Sequence, residues 1–346
     1  MKILEHTSLK PYNTFGIDVF AAHFCRARDK EALIYLIKNT LEYYKNILIL
    51  GGGSNVLLCS DFEGLVIKNE IIGIDIIKED DEHVWIRSMS GTNWHELVNY
   101  CVNRNYGGIE NLALIPGTVG AAPMQNIGAY GTELKDVFLA LEAIDMKTGE
   151  ILIFDRDACA FEYRQSVFKK ELKNKYFIYS VTLKLSKHPI PNTTYGDIQK
   201  ILQENNIAAK AASIRDVADA VIKIRKSKLP DPKEIGNAGS FFKNPEVTKE
   251  VADKLIAQYP TIPHYILPNG TVKIPAAWLI EQCGWKGKRI GNTGNHEKQA
   301  LVIVNYKDAS GNEILEHAIH VQQSVYNKFN IQLEMEVNII SPSAFA

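Results

Sequence analysis

Hydrophobic and polar positions repeat along this chain with two different periods. FIYSVTLKLS, residues 177–186, alternates strongly, which predicts a strand. ILIL (47–50) is an unbroken apolar run that stops at GGGSN (51–55), as a buried strand entering a glycine turn would. GLVIKN (64–69) and HVWIRS (83–88) read as further short strands, and KEDDE (78–82) as a charged turn. NWHELVNYCVNR (93–104) places Leu97, Val98, Tyr100 and Cys101 at helical spacing. PIPNTTYGDIQK (189–200) breaks the pattern with two prolines and a Tyr-Gly-Asp turn. ASIRDVADAVIKIRK (212–226) is a helix that LPDP then stops.

A second region begins near residue 229. Its predicted elements are a helix over VTKEVADKLIAQYP, a strand at GTVKIP, a helix over AAWLIEQCGWKG closed by Gly284, and a strand at QALVIVN. NEILEHAIHVQQSVYNKF (312–329) is a long amphipathic helix with Ile314, Leu315, Ala318, Ile319, Val325 and Phe329 on one side. IQLEMEVNII (331–340) reads as the last strand. The class is α+β, and LPDPKEIGN is the expected hinge.

Length and charge narrow the function. A chain of 346 residues exceeds one ordinary core, so two or three domains are expected. Its formal charge is −1, so nothing global attracts nucleic acid or an anionic membrane, and an anionic ligand must be held by local groups. The first residues lack a signal peptide's apolar core, and no run approaches the ~18 apolar residues of a transmembrane helix. The five cysteines are scattered without a CxxC pair, which points to a reducing cytoplasm rather than a disulfide scaffold or zinc site. His317 and His320 lie three apart on one helix without a third ligand, so no metal is expected.

Three stretches carry candidate chemistry. GGGSN can converge backbone N–H groups into an anion-binding concavity, or can be a plain tight turn. It lacks the Lys-Ser/Thr of a P-loop, and Val56 replaces the third glycine of a dinucleotide fingerprint. GGIENLALIPGTVGAAPMQNIGAYG (107–131) holds six glycines and two prolines with few charges. Such a segment can wrap a flat ligand, with Thr118, Gln125 and Asn126 supplying hydrogen bonds; the alternative is a buried structural loop. Together with GGGSN it suggests a long ligand with a diphosphate and a ring system. In GNAGSFFKNP (236–245), Ser240 is either a reactive hydroxyl or a cap or turn hydroxyl.

GGGSN, IPGTVGAAPMQNIGAYG, YRQS, GNAGSFFKNP, KIPAAWLIEQCGWKG and HEKQALVIVN stand in the order and spacing of the UDP-N-acetylenolpyruvoylglucosamine reductases, and the chain resembles that family from NTFGI (13–17) to LEMEV (333–337). The resemblance implies an FAD-binding fold of the vanillyl-alcohol-oxidase type in two subdomains, residues 1–70 and 71–228, with an insertion at 188–210. A substrate-binding domain follows at 229–330, and a C-terminal strand, 331–346, returns to the first subdomain. It implies FAD held by Gly51, Gly52, Gly53, Ser54 and Asn55, by Ile115, Pro116, Gly117, Thr118, Gly120, Ala121, Gln125, Asn126, Gly128, Ala129 and Tyr130, and by Arg225.

The implied reaction is a reduction in peptidoglycan precursor synthesis. NADPH reduces the flavin, whose N5 then passes hydride to the enolpyruvyl methylene carbon of a UDP-sugar. Ser240 matches the family's proton donor, Arg164 and Glu336 its other catalytic residues. Tyr163, Tyr195, Lys228, Lys243, Asn244 and Gln299 are the implied substrate contacts, with Tyr195 marking the longer subclass whose tyrosine covers the substrate. The expected protein is a cytoplasmic monomer without nucleic-acid or membrane partners. A serine hydrolase built on Ser240 would want a GxSxG elbow where AGSFF stands. A silent flavin or sugar-nucleotide binder would have lost Ser240, Arg164 or Glu336, and all three are present.

Overall fold

A computed structural model of the chain describes residues 1–341; positions 342–346 of the expected C-terminal strand lie outside the described residues. The chain divides into two compact units, each assembled from separated segments. One comprises residues 1–7, 21–52 and 62–227, the other residues 8–20, 53–61 and 228 onward.

The first unit contains two sheets. In the smaller one, Phe20–Ala27 and Ile47–Leu50 both pair in parallel with Phe62–Asn69, and Ile3–Ser8 forms one edge. The helix Lys30–Asn39 makes the crossover that parallel pairing requires, started by the Asp29 carboxylate accepting from the Ala32 N–H. The larger sheet is antiparallel, in the order Ile151–Asp155, Phe138–Asp145, Tyr176–Ser186, His83–Met89, Ile74–Glu79. Helices Trp94–Val102 and Ile214–Lys228 help close its core: Trp94, Leu97, Cys101, Val217 and Val221 are buried in one cluster with Val181 and Leu183.

The second unit is built on a four-stranded antiparallel sheet in the order Gly236–Ser240, Val302–Asn305, Thr293–Asn295, Arg289–Ile290. A small sheet of three two-residue strands joins Glu246–Val247, Val272–Lys273 and Tyr265–Ile266. The helix Gly311–Phe329 starts from a complete capping box of Ser310 and Glu313, and ends at Asn330 in the left-handed conformation. A parallel pair, Val56–Leu58 with Asn338–Ile340, carries the end of the described chain.

Several expectations change here. The Tyr-Gly-Asp turn is the start of a helix, Gly196–Glu204, with Tyr195 as its cap residue; Ile198 and Leu202, four apart, are its buried stripe. Lys78 and Glu79 belong to the strand Ile74–Glu79, not to a turn. On the long helix Ile319 is exposed, while His317 and Val321 take inward places. Of IQLEMEVNII only Asn338–Ile340 is a regular strand. Residues 331–337 keep the alternating burial of a strand, with Ile331, Leu333 and Val337 inside, but pair only through the isolated Phe242–Met335 bridge.

Among the described residues no helix is long and apolar enough to cross a membrane, and no group of three acidic, His or Cys side chains could hold a metal ion.

Candidate active site

In the first unit the two glycine-rich stretches cross at touching distance. A Cβ on Gly52 would lie 2.8 Å from Gly117 Cα, and one on Gly51 would lie 2.6 Å from Thr118 Oγ1. Only glycine lets backbone approach backbone this closely. The Gly51 carbonyl accepts from Lys68 Nζ at 2.7 Å. The 115–131 loop is then tied down by its own main chain: Val119 N–H donates to Thr92, Gly120 N–H to Ser90, and Trp94 N–H to Gly117.

Asn126 organises this loop from inside. It is fully buried and left-handed, and its amide donates to the Glu133 carboxylate and the Glu162 carbonyl while accepting from Lys135 N–H. Its side chain therefore shapes the loop. Gln125 is bonded by Lys169 Nζ, and Ser166 donates to the Met124 carbonyl, so the 162–169 turn is fastened to the same loop. Arg164 stands in that turn with φ +53°, a strained conformation for a side chain of its size, and donates to the carbonyls of Gly128 and Asn126. Its guanidinium lies 5.3 Å from the Tyr163 ring centroid.

Two polar atoms of this unit that are shut off from water bear on what could bind here. Thr118 Oγ1 and Arg225 Nε are both buried, and neither has a hydrogen-bond partner among the described residues. Buried polar atoms seldom stay unpaired. Burial lowers the Arg225 pKa, opposed by its hydrogen bond to Tyr130, whose hydroxyl burial pushes up. Burial and the charges of Arg225 and Lys226 lower the His95 pKa, and its Nδ1 accepts the Leu114 N–H at 3.0 Å. A glycine-lined wall with an unspent hydroxyl and an unspent guanidinium edge suits a flat anionic cofactor such as FAD. Gly51, Gly52, Thr118 and Arg225 are residues that could hold such a group.

Tyr195 meets Tyr130 edge to face at 5.1 Å between ring centroids.

Gly53, Ser54 and Asn55 belong to the second unit, so the GGGSN motif spans the division at Gly52. Gly53 is left-handed, and a Cβ there would overlap the Tyr12 carbonyl oxygen at 1.9 Å. Asn55 donates to the Glu336 carbonyl at 3.3 Å and its own carbonyl accepts from Asn338. In the same unit Ser240 ends its strand opposite Val302, half-buried, after a register shift at left-handed Gly239. Nothing lies within 4 Å of a Cβ on Gly239, so the glycine serves the backbone turn and leaves open space beside the serine. Phe241 and Phe242 are fully buried core rings whose packing fixes the Ser240 backbone.

The 331–337 segment runs beside this strand end. Glu336 N–H donates to the Phe241 carbonyl at 2.8 Å, and Lys243 N–H to the Glu334 carbonyl at 2.9 Å. Lys243 is buried and forms an ion pair with Glu334, whose side chain is mostly exposed, whereas Glu336 is half-buried. Asn244 Oδ1 accepts the Ala276 N–H, the first of the helix Ala276–Gln282, whose cap residue is Pro275. Gln299 sits in the turn before Val302–Asn305, its Oε1 accepting from Leu301 N–H. Lys228 is the exposed last residue of the helix Ile214–Lys228.

Sequence reasoning passed over Lys68, His95, Asn111, Ser166 and Lys169. Each acts through polar contacts to other segments, which no periodicity announces; Asn111 makes two, to the Tyr130 and Asn192 carbonyls.

Two family models match the chain: an FAD binding domain over residues 21–155, and the C-terminal domain of UDP-N-acetylenolpyruvoylglucosamine reductase over residues 231–340. It is 49% identical to the UDP-N-acetylenolpyruvoylglucosamine reductase of Amoebophilus asiaticus over 98% of this chain and all of that one. To the enzyme of that name from Flavobacterium johnsoniae it is 48% identical with the same coverage. The crystal structure of UDP-N-acetylenolpyruvylglucosamine reductase from Thermus caldophilus shares the fold, with a TM-score of 0.70 at 23% identity over 99% of this chain and all of that one. The expected vanillyl-alcohol-oxidase-type α+β architecture is thereby met. This chain belongs to the UDP-N-acetylenolpyruvoylglucosamine reductase family of FAD-dependent oxidoreductases.

Proposed function

We propose that this protein reduces the enolpyruvyl ether of UDP-N-acetylglucosamine to UDP-N-acetylmuramate, using NADPH, in peptidoglycan precursor synthesis. FAD, when bound, would supply the hydride-transfer chemistry between NADPH and the enolpyruvyl ether that the side chains lack. Gly51, Gly52, Thr118 and Arg225 hold that cofactor, and residues from 228 onward supply the substrate-binding unit.

The chain's own residues meet two further needs. Hydride arrival leaves negative charge on the carbon beside the carboxylate. Arg164, held in its turn by Gly128 and Asn126, grips that carboxylate with its planar fork. The carbon must then be protonated. Ser240 gives up its hydroxyl proton there, a transfer open to so weak an acid only against a strongly basic carbon shielded from water. Glu336, fastened one residue beyond Ser240, stabilises the developing charge distribution and the protonation of the site. Tyr195 covers the sugar nucleotide, and Lys228, Lys243, Asn244, Gln299 and Tyr163 contribute to its binding pocket.

One observation carries the reading: Ser240 and Glu336, about a hundred positions apart in sequence, lie on adjoining segments joined by the Glu336–Phe241 hydrogen bond. The test is optical. Purified protein should be yellow, bleach with NADPH, and recover its colour only when the enolpyruvyl sugar nucleotide is added. A colourless preparation that takes up no FAD would refute the proposal.

A further inference from the structure

Two asparagines join the 115–131 loop to the segment that carries Tyr195. Asn111 is almost completely buried, and its one amide group donates to the Tyr130 carbonyl at 3.1 Å and to the Asn192 carbonyl at 2.9 Å. Asn192 returns the contact, donating from Nδ2 to the Gly131 carbonyl at 3.1 Å. The other end of the same side chain accepts from Thr194, from the N–H at 3.1 Å and the hydroxyl at 2.7 Å. Three residues after Asn192, the Tyr195 ring rests edge-on against Tyr130. Tyr130 and Gly131 are both left-handed, so their carbonyls are turned out of any regular pairing.

The geometry points to Asn192 as a positioning residue for substrate closure. Through its bonds to Gly131 and Thr194, and through the Asn111 bridge, it holds residues 192–195 against the cofactor loop and sets where the Tyr195 ring sits. The inference rests on the reading of Tyr195 as the substrate cover. Only an amide serves, because the position must donate at Nδ2 and accept at Oδ1 at once. An aspartate keeps the Thr194 bonds but turns a negative charge toward the Gly131 carbonyl.

Asn111 is too deeply buried for a clean test, so Asn192 is the position to vary in the full-length holoprotein. Asn192→Ala and Asn192→Asp should each raise KM for the enolpyruvyl sugar nucleotide about tenfold while kcat and the FAD dissociation constant stay within about twofold, and amide exchange over 192–197 should quicken at least tenfold. Tyr195→Ala should raise KM likewise, and the double variant should be no worse than Tyr195→Ala alone. If Tyr195→Ala raises KM and Asn192→Ala leaves KM and exchange as in the parent, the inference about Asn192 is wrong and the reading of Tyr195 stands. If Tyr195→Ala leaves KM unchanged, both fall. A parallel loss of kcat and FAD affinity in Asn192→Ala would show general damage to the loop and would also overturn it.

Discussion

The backbone N–H of Glu336 donates to the carbonyl of Phe241 over 2.8 Å, one residue past Ser240. Because the link is made by main chain, the carboxyl group can be altered without unfastening the segment. Glu336→Gln should therefore fold normally and lose about 10²- to 10⁴-fold in kcat, the range of a positioned acid–base group. Glu334, two residues earlier, is mostly exposed and is engaged by the buried Lys243, and Glu334→Gln should keep turnover within about twofold. Steady-state kinetics of the two variants decide which carboxylate belongs to the site.

Gly52 stands against the main chain of Gly117, with no flexible side chain to yield. Gly52→Ala should push the two loops apart and weaken FAD binding by tenfold or more, in line with the ~1–3 kcal/mol cost of overpacking. Gly196 faces open space, and Gly196→Ala should leave FAD affinity unchanged. Fluorescence titration of the flavin-free proteins with FAD reads both.

Arg164 joins a left-handed backbone to the proposed carboxylate-binding role. Arg164→Lys keeps the charge and loses the fork, and should lower kcat/KM by about ten- to a hundredfold, as expected for loss of one charge-assisted hydrogen bond of ~1.5–3 kcal/mol. Lysine at a left-handed position gains nothing in stability, so Tm should not rise. An unchanged kcat/KM would remove Arg164 from the site.

His317 offers a pH prediction independent of catalysis. It is buried against Trp285, its Nε2 is 2.7 Å from Asn295 Oδ1, and burial, with His320 and Lys288 nearby, pushes its pKa down to about 4. The folded state thus resists protonation that the unfolded chain accepts near 6.5. Stability from this residue is present above pH 6.5 and is lost as pH falls from 6.5 toward 4, by at most about 3 kcal/mol. Chemical denaturation across that window should show the loss in the parent protein and a flatter curve in His317→Gln.

Some of this architecture is legible in the sequence because local physics agrees with it. The run Ile47–Leu50 is a strand that ends at glycine, although only Leu50 is fully buried and residues 47–49 are half-buried, and the helices Trp94–Val102 and Ile214–Lys228 carry unbroken apolar stripes. Gly196–Glu204 was hidden because prolines and a glycine precede a stripe of only two buried residues. Residues 331–337 show a strand's alternation without its ladder, since alternation records which side faces the core and says nothing of pairing. Glu334 and Glu336 have the same parity, so periodicity cannot separate them; in the structure Glu334 pairs with Lys243 and is exposed, while Glu336 is half-buried. Asn126, a candidate ligand contact by composition, and Lys243, one by resemblance, also make hydrogen bonds within the chain that shape their surroundings.

The account stands most directly on the proton that Ser240 is proposed to deliver, and the two half-reactions can be timed separately in a stopped-flow instrument. Ser240→Ala should be bleached by NADPH at the parent rate. Single-turnover reoxidation of the bleached protein by the enolpyruvyl sugar nucleotide should then slow by about 10²- to 10⁴-fold. Reoxidation at the parent rate would contradict the assignment of Ser240 as the acid.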